Sequence, residues 1–294
     1  MSGMPHRAGY VAIVGRPNAG KSTLLNALLG VKLAIATHKA QTTRHRILGI
    51  HSDAHSQILF LDTPGVIDPR YKLHEAMMAA VASATRDADV VLHLVDLRFP
   101  EDVALVTKSF PSLTKPVILG LNKADLADEA AIAASKETLM KGFPYAAFVE
   151  LSARNGTGLD ALMSELTARL PVCPPFYPKD QLSEHPERFF VAELIREQVF
   201  LLYEEEIPYE VAVEIASYQE TDEIDHIHAD LVVSRDSLKG MVIGKGGAAL
   251  KKLGTRARLQ IEEFTGRRVN LKLFVKVREK WRDKDAFLRG MGYM

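Results

Sequence analysis

The sequence of 294 residues contains a single cysteine, Cys173. One cysteine cannot form an internal disulfide or a zinc site built from thiolates, so disulfide scaffolds and cysteine-rich metal domains are excluded. No stretch reaches the ~18 uninterrupted apolar residues of a membrane span, and the amino-terminal residues lack the apolar run typical of a secretory signal. We therefore expect a protein without transmembrane segments in a reducing compartment, the cytoplasm.

An excess of one charge is also missing, because 37 basic and 37 acidic side chains balance. Within this overall balance, two neighbouring segments carry opposite net charges. Residues 181–234 carry 2 basic and 14 acidic side chains, whereas residues 235–294 carry 16 basic and 6 acidic ones. A basic segment of this kind is typical of nucleic-acid binding. The alternative is two solvated faces of opposite charge.

Short apolar strands alternate with amphipathic helices over residues 1–170, which predicts an α/β domain with a mostly parallel sheet. A helix over Ile132–Met140 belongs to this pattern. Five prolines between Pro171 and Pro186 predict a stiff linker over 171–186. Residues 187–294 follow an α-β-β-α-α-β order, which predicts a second, α+β domain. Its tail, Arg278–Leu288, is predicted to form a terminal helix.

Residues 15–22 read Gly-Arg-Pro-Asn-Ala-Gly-Lys-Ser between a predicted strand and a predicted helix, the context that a phosphate-binding loop requires. Backbone N–H groups of such a loop wrap a phosphate, and the helix dipole faces the anion. Lys21 would reach the β- and γ-phosphates, and Ser22 would ligate Mg²⁺. The other predicted nucleotide contacts of this segment are Gly15, Asn18, Ala19, Gly20 and Thr23.

Three further polar motifs follow later strands, at the edge where parallel sheets bind ligands. In Asp62-Thr63-Pro64-Gly65, the carboxylate can hold Mg²⁺ and the Gly65 amide can meet a γ-phosphate. In Asn122-Lys123-Ala124-Asp125, the Asp125 carboxylate matches the N1–H and N2–H₂ donors of guanine. Asn122 would brace the loop and read N7, and the Lys123 stem would cover the base. At Ser152-Ala153, a backbone N–H would reach guanine O6.

These four motifs, in this order, resemble those of the GTPase superfamily. The resemblance implies a threonine ligand to Mg²⁺ between the first helix and the second strand. Gln41-Thr42-Thr43-Arg44 stands there and is similar to the pattern of the Era, MnmE and Der families. Either Thr42 or Thr43 would be the ligand.

Val66 occupies the position where other GTPases carry a glutamine that orients the attacking water. In relatives with a hydrophobic residue there, an asparagine at the position of Asn18 helps to bind K⁺. The resemblance therefore adds K⁺ to GTP, GDP and Mg²⁺ as a cofactor, and it implies slow intrinsic turnover. The residues predicted to carry hydrolysis are Lys21, Asn18, Thr42, Thr43 and Gly65.

Residues 242–250 contain an apolar pair followed by Gly-Lys-Gly-Gly and a helix, which resembles the GxxG signature of KH domains. Glycines let the turn lie against a sugar-phosphate chain, and KH domains clamp about four nucleotides there. The element order matches the type II arrangement. The predicted RNA contacts are Ile243, Gly244, Lys245, Gly246, Gly247, Lys251, Lys252, Arg256 and Lys272.

A P-loop GTPase domain followed by a type II KH domain resembles the Era family over essentially the whole chain. The resemblance implies binding to small-subunit (16S-type) ribosomal RNA and a role in maturation of the 30S particle. It also implies a monomeric cytoplasmic protein that can associate peripherally with the inner membrane. Two alternatives stay open: a GTPase whose second domain binds a protein, and an RNA-binding module whose nucleotide site is only structural.

Overall fold

A computed structural model describes residues 5–99, 103–108, 114–127, 132, 136, 139 and 143–294. The chain divides into two compact units. The first contains residues up to 69 and 74–184, and the second contains residues 70–73 and 185–294. The predicted helix Ile132–Met140 lies almost wholly outside the described residues.

A six-stranded sheet with the order β2-β3-β1-β4-β5-β6 forms the centre of the first unit. All neighbouring strands are parallel except β2, which is antiparallel to β3, so the predicted mostly parallel sheet is confirmed. The residues of β3, β4 and β5 are buried throughout, as helices on both faces require. The strands are β1 (Arg7–Val14), β2 (Ile47–Ser52), β3 (Ser56–Asp62), β4 (Val90–Asp96), β5 (Val117–Asn122) and β6 (Ala147–Glu150). The helices are α1 (Lys21–Leu29), α2 (Lys72–Asp87), α3 (Val103–Thr107) and α4 (Leu159–Arg169).

The proline-rich residues 171–184, which we call the strap, run along the first unit. Gln57 of β3 is fully buried, and its Oε1 accepts hydrogen bonds from the backbone N–H groups of Phe176 (2.7 Å) and Tyr177 (3.0 Å). Its Nε2 donates to the Tyr177 carbonyl at 2.8 Å. Farther along, the Ile50 N–H donates to the Leu182 carbonyl at 2.9 Å. The strap is therefore fixed to β2 and β3.

The second unit has the expected α-β-β-α-α-β order around a three-stranded sheet, β7-β8-β9. β7 is antiparallel to β8, and β9 is parallel to β8. Branched apolar side chains on one face of the sheet form a core with the helices. The elements are α5 (Glu187–Leu202), α6 (Ile207–Glu210), β7 (Val211–Gln219), β8 (Asp225–Val233), α7 (Asp236–Ile243), α8 (Ala248–Thr265), β9 (Val269–Val277) and α9 (Asp285–Gly290).

The prediction of one terminal helix over Arg278–Leu288 is wrong. The tail contains a 3₁₀ turn at Trp281–Asp283 and then the short α9. Lys280 has a left-handed backbone conformation (φ 49°), which ends regular structure before the turn. Trp281 is fully buried, and its Nε1 donates to the Glu210 carbonyl at 2.9 Å. Packing of this indole, which helical periodicity does not reveal, therefore sets the path of the tail.

Candidate nucleotide site and RNA groove

The phosphate loop joins β1 to α1 and depends on two glycines for its shape. A Cβ on Gly15 would lie 2.3 Å from the Leu94 carbonyl oxygen, so no other residue fits. Gly20 has φ 97°, and a Cβ there would lie 2.3 Å from Nδ2 of Asn122. Because glycine has no side chain, the backbone can follow this tight path at both positions. A loop of this shape can direct its N–H groups toward an anion.

Lys21 lies at the centre of this loop. Its Nζ donates to the carbonyls of Gly15 (3.1 Å) and Arg16 (2.9 Å). Burial lowers the pKa of Lys21 to about 8, against the opposing effect of the nearby Asp62 carboxylate. The loop therefore holds a desolvated ammonium group, which favours the arrival of a phosphate.

Three oxygens from separate segments meet beside Lys21. The Ser22 hydroxyl donates to Asp62 Oδ2 at 2.7 Å and lies 2.8 Å from the Thr43 hydroxyl. Asp62 Oδ1 is buried and has no hydrogen-bond partner among the described residues. Burial raises the pKa of Asp62 to about 6, although Lys21 opposes this. Two hydroxyls and a carboxylate with an unused lone pair match the oxygen ligands of Mg²⁺, so the residues fit that ion.

Thr42 and Thr43 have different surroundings. The Thr42 hydroxyl donates to the Lys39 carbonyl at 2.8 Å and lies 2.6 Å from the Thr37 hydroxyl. Thr42 therefore fastens its own loop internally, and Thr43 is the threonine that reaches Ser22. The sequence does not distinguish the two residues, because they are adjacent and chemically identical.

The segment after β3 lies against the phosphate loop. A Cβ on Gly65 would be 2.6 Å from the Pro17 nitrogen, and the Val66 N–H donates to the Gly15 carbonyl at 3.0 Å. The Thr63 hydroxyl donates to the Ile13 carbonyl at 2.7 Å, so it braces β1. Pro64, which follows it, is buried. Of the Asp62–Gly65 motif, Gly65 lines the cleft formed by the phosphate loop and residues 35–43.

Asn122 ties the phosphate loop to two other loops at the end of the sheet. Its Nδ2 donates to the Ala19 carbonyl (2.7 Å), and its Oδ1 accepts from the Ala153 N–H (3.0 Å). The Ser152 N–H donates to the Thr157 carbonyl at 3.0 Å. Both backbone donors predicted for guanine O6 are therefore engaged within the protein. The bracing predicted for Asn122 is present in these contacts.

Lys123 and Asp125 lie at the rim of the same site. Lys123 Nζ donates to the Asn18 carbonyl and to Asp96 Oδ2, both at 2.7 Å. These bonds stretch the Lys123 stem across the end of the sheet. The Asp125 side chain is exposed, so a base can reach its carboxylate. Asn18 has φ 63°, and its Nδ2 donates to the His38 carbonyl at 3.2 Å.

Asp96 belongs to this site although no sequence motif pointed to it. Its carboxylate accepts two hydrogen bonds from the Arg98 side chain (3.0 and 2.7 Å) besides the one from Lys123. Burial alone would raise the pKa of Asp96, but these bonds hold it below its ordinary value. The sequence does contain one signal for it: Asp96, like Asp62, stands at the end of a buried strand.

The second unit carries a groove between α8 and β9. The loop before α8 has positive φ at Gly244 (72°), Gly246 (58°) and Gly247 (80°), and Lys245 is exposed. The groove has a volume of about 390 Å³. Its lining consists of Gly247, Leu250, Lys251, Gly254, Thr255, Arg258, Leu271 and Leu273.

The structure separates the predicted RNA contacts. Lys251 lines the groove, whereas Lys252 and Arg256 are exposed on a neighbouring stripe of α8. Ile243 is half-buried at the end of α7. Lys272 lies on the sheet face opposite the helices, because Leu271 and Leu273 face α8 and side chains alternate along β9. Arg258, one of the basic residues of α8 that the sequence offers as cations for RNA, lines the groove, and so does Thr255, which the sequence does not single out.

The fold and the two sites define a P-loop GTPase that carries a KH domain. A family model described as a 50S ribosome-binding GTPase matches residues 10–123, and a KH domain model matches residues 206–282. GTPase Era of Geobacter metallireducens is 42% identical over the full length of both chains. A chloroplastic ERA-like GTPase of Oryza sativa subsp. japonica is 44% identical, over 98% of this chain and 70% of the relative.

Two solved structures match with similar strength. A variant of Aquifex aeolicus Era bound to GDP·AlF₄⁻ is 38% identical, with a TM-score of 0.93 over 98% of this chain and 99% of the other. Era in complex with MgGDPNP and nucleotides 1506–1542 of 16S ribosomal RNA is 37% identical, with a TM-score of 0.94 over the same shares. The chain belongs to the Era family and is a GTPase. Within the described residues, no helix is long and apolar enough to cross a bilayer.

Proposed function

We propose that this chain is a GTP-hydrolysing switch that binds small-subunit ribosomal RNA through its KH domain and assists maturation of the 30S particle. The proposed binding and hydrolysis of GTP rest on one observation: the Ser22 hydroxyl lies within hydrogen-bond distance of the side-chain oxygens of Thr43 and Asp62, beside Lys21. The RNA half is supported by the glycine-lined groove, and by the relative crystallised with MgGDPNP and a 16S rRNA segment.

In this proposal Ser22, Thr43 and Asp62 hold Mg²⁺, the last through its free Oδ1 or an intervening water. A bound Mg²⁺ would neutralise charge on the β- and γ-phosphate oxygens. On nucleotide binding, the Lys21 ammonium group would release the carbonyls of Gly15 and Arg16 and donate hydrogen bonds to those phosphate oxygens. Gly65 offers its backbone N–H to the γ-phosphate, because no side chain intervenes there. Thr42 supports the loop instead of binding the metal.

Base recognition rests on the opposite end of the site. The exposed Asp125 carboxylate accepts from guanine N1–H and N2–H₂, and the Lys123 stem covers the ring. Asn122 holds the loops and offers its second amide hydrogen to N7. Because Val66 cannot orient water, hydrolysis is slow and relies on added positive charge. We assign K⁺ to the Asn18 side chain. Replacing K⁺ by Na⁺ in the assay should therefore lower the turnover, and Asn18→Ala should abolish that difference.

On the RNA side, Gly244, Gly246 and Gly247 allow the sugar-phosphate chain to approach the backbone, and Lys245 and Lys251 pair with phosphates. Thr255 and Arg258 extend the contact along the groove. Lys252, Arg256 and Ile243 contribute from its margins. Lys272 adds long-range attraction only, because it lies on the other face of the sheet.

Crosslinking of the protein to RNA in cells, with sequencing of the recovered RNA, tests this function. The variant is K245D/G246D. Its matched control is K280D/G290D, which makes the same charge change at exposed positions of the same basic segment, outside the groove. Enrichment of one small-subunit rRNA segment, lost in K245D/G246D and kept in the control, is the expected result. Diffuse recovery that neither variant changes would contradict RNA recognition by the groove and favour a protein partner.

Other properties stay predictions with their own tests. Sedimentation should give a monomer, and flotation with vesicles should detect the peripheral membrane association implied by the family resemblance. We also propose a cytoplasmic location and three segments: a GTPase domain over 1–170, a linker over 171–186 and a KH domain over 187–294. A partner whose binding resists salt would favour a protein ligand, since RNA binding weakens with salt through counterion release.

A further inference from the structure

A hydrogen bond joins the loop of Thr43 to the helix that follows the Asp62–Gly65 segment. His74, in the first turn of α2, donates from Nε2 to Oε1 of Gln41 at 3.1 Å. The two residues are 33 positions apart in the chain. His74 is only 4% exposed, and Gln41 is half-buried. The contact is thus a specific one between packed side chains.

Gln41 has an unusual backbone conformation for a side chain of its type. Its φ is 59°, in the left-handed region where residues other than glycine, asparagine and aspartate are uncommon. Such a conformation persists where the surroundings hold it. The turn at Gln41 directs the Thr42 hydroxyl back to Lys39 and allows Thr43 to face Ser22. The left-handed residue Gln41 thus directly precedes the two threonines, of which Thr43 reaches Ser22.

Gln41 also lines the cleft that contains Lys21, Thr43 and Gly65. With Val66 in place of a glutamine, the residue directly after Gly65 cannot organise the reacting groups through a polar side chain. The correct placement of Thr43 then depends on what fixes its loop. The Gln41–His74 hydrogen bond provides such a link, because it ties this loop to the start of α2.

We propose that Gln41 and His74 are a positioning pair for GTP hydrolysis, because their hydrogen bond sets Thr43 in register with Ser22 and couples that loop to α2. The inference rests on the metal site proposed above. Neither residue is a catalytic residue, since each acts through Thr43 or through the start of α2. Loss of the bond should weaken the Mg²⁺·GTP state more than it weakens GDP binding, because the bond acts on Thr43, which we place at the Mg²⁺ site.

The test compares H74M with H74Q in the full chain. Methionine keeps a similar volume without a donor, whereas the Gln amide places an N–H near the position of the lost Nε2. We measure kcat, KM, GDP affinity and the Mg²⁺ concentration that gives half-maximal hydrolysis. H74M and Q41A should each lower kcat about tenfold and raise the Mg²⁺ requirement, and H74Q should restore most of both. The double variant Q41A/H74M should lose no more than the worse single variant.

Equal behaviour of H74M and H74Q would overturn the proposal, as would losses that multiply in the double variant. Unchanged circular dichroism spectra verify that each variant is folded. If H74M does not fold, Q41A in the half-buried loop carries the comparison, with Q41E as the variant that keeps the acceptor. T43A separates the two proposals. Full Mg²⁺-dependent hydrolysis in T43A would refute the metal site itself, whereas a collapse in T43A with no effect of Q41A would refute the pair alone.

Discussion

The hydroxyls of Ser22 and Thr43 lie 2.8 Å apart, although the residues come from α1 and from the loop that precedes β2. Because Ser22 donates to Asp62, it accepts the hydrogen bond from Thr43. These hydrogen bonds bring together three oxygens from separate segments at the place where we propose that Mg²⁺ binds. Binding of Mg²⁺ would replace these bonds without moving the chain far, which lowers the ordering cost of binding.

The two threonines should respond differently to substitution. Thr43→Ala should lower the GTP hydrolysis rate about 100-fold, because an oxygen of the proposed Mg²⁺ site is lost. Thr42→Ala removes the contacts of its hydroxyl with Thr37 and Lys39 within the loop, and it should lower the rate about threefold. Thr43→Ser, which keeps the hydroxyl, is the control and should retain most activity. Steady-state hydrolysis over a Mg²⁺ series measures all three, and a larger loss in T42A than in T43A would exchange their roles.

Base choice should depend on the Asp125 carboxylate. Asp125→Asn should weaken GDP binding about 100-fold, since an amide cannot accept from both guanine donors. The same variant should gain affinity for xanthosine diphosphate, whose ring offers a carbonyl where guanine has an amino group. Competition binding measures the affinities of the wild-type protein and of the variant for both nucleotides. Equal weakening toward both would show that the variant has damaged the loop rather than altered recognition.

Gln57 should be important for the stability of the first unit. Gln57→Leu keeps the volume but leaves the backbone groups of Phe176 and Tyr177 without these partners. We expect a loss of about 2–4 kcal/mol in the free energy of unfolding, together with proteolytic cleavage within the strap. Gln181→Ala is the matched control, because that side chain bonds within the strap, to the Ser183 carbonyl. Intact resistance to protease in Q57L would mean that other contacts hold the strap.

His93 predicts how stability changes in acid. This residue is fully buried in β4, and burial lowers its pKa to about 3, with Lys21 adding to the effect. Between pH 6.5 and 3 the unfolded chain binds a proton there and the folded chain does not, so stability falls as the pH falls. The contribution is at most about 1.4 kcal/mol per pH unit.

His93→Asn removes this titration and keeps a nitrogen near Nδ1, which is bonded to the Tyr145 hydroxyl at 2.8 Å. Urea unfolding at about pH 6.5, 5.5 and 4.5 should show a shallower pH dependence in the variant than in the wild-type protein. Parallel pH dependences would mean that His93 is protonated in the folded protein.

The sequence predicts the framework of both sites because each depends on local rules. The phosphate loop needs glycine at positions 15 and 20. The alternation of apolar strands with amphipathic helices predicts the sheet. The details depend on contacts between distant segments. Thr42 and Thr43 are distinguished by the left-handed turn at Gln41, which no residue preference predicts.

Other details depend on how the elements pack. Charge alone groups Lys272 with the basic residues of α8, whereas the packing of Leu271 and Leu273 against the core places Lys272 on the opposite face of the sheet. Asp96 has the same position at a strand end as Asp62, but its partners Arg98 and Lys123 come from different loops. Charge and strand ends are local signals, and the choice of partner follows from the fold.

The proposal of a GTP-hydrolysing switch, which is the central claim, predicts that the nucleotide state changes RNA binding by the Gly244–Gly247 loop. The most direct test measures affinity for an RNA spanning the 3′ end of small-subunit rRNA, with Mg²⁺ and either GDP or GDPNP, at two salt concentrations. We predict tighter binding with GDPNP, and no such difference in K245D/G246D. Equal affinity in both nucleotide states, with wild-type protein at either salt concentration, would contradict the claim.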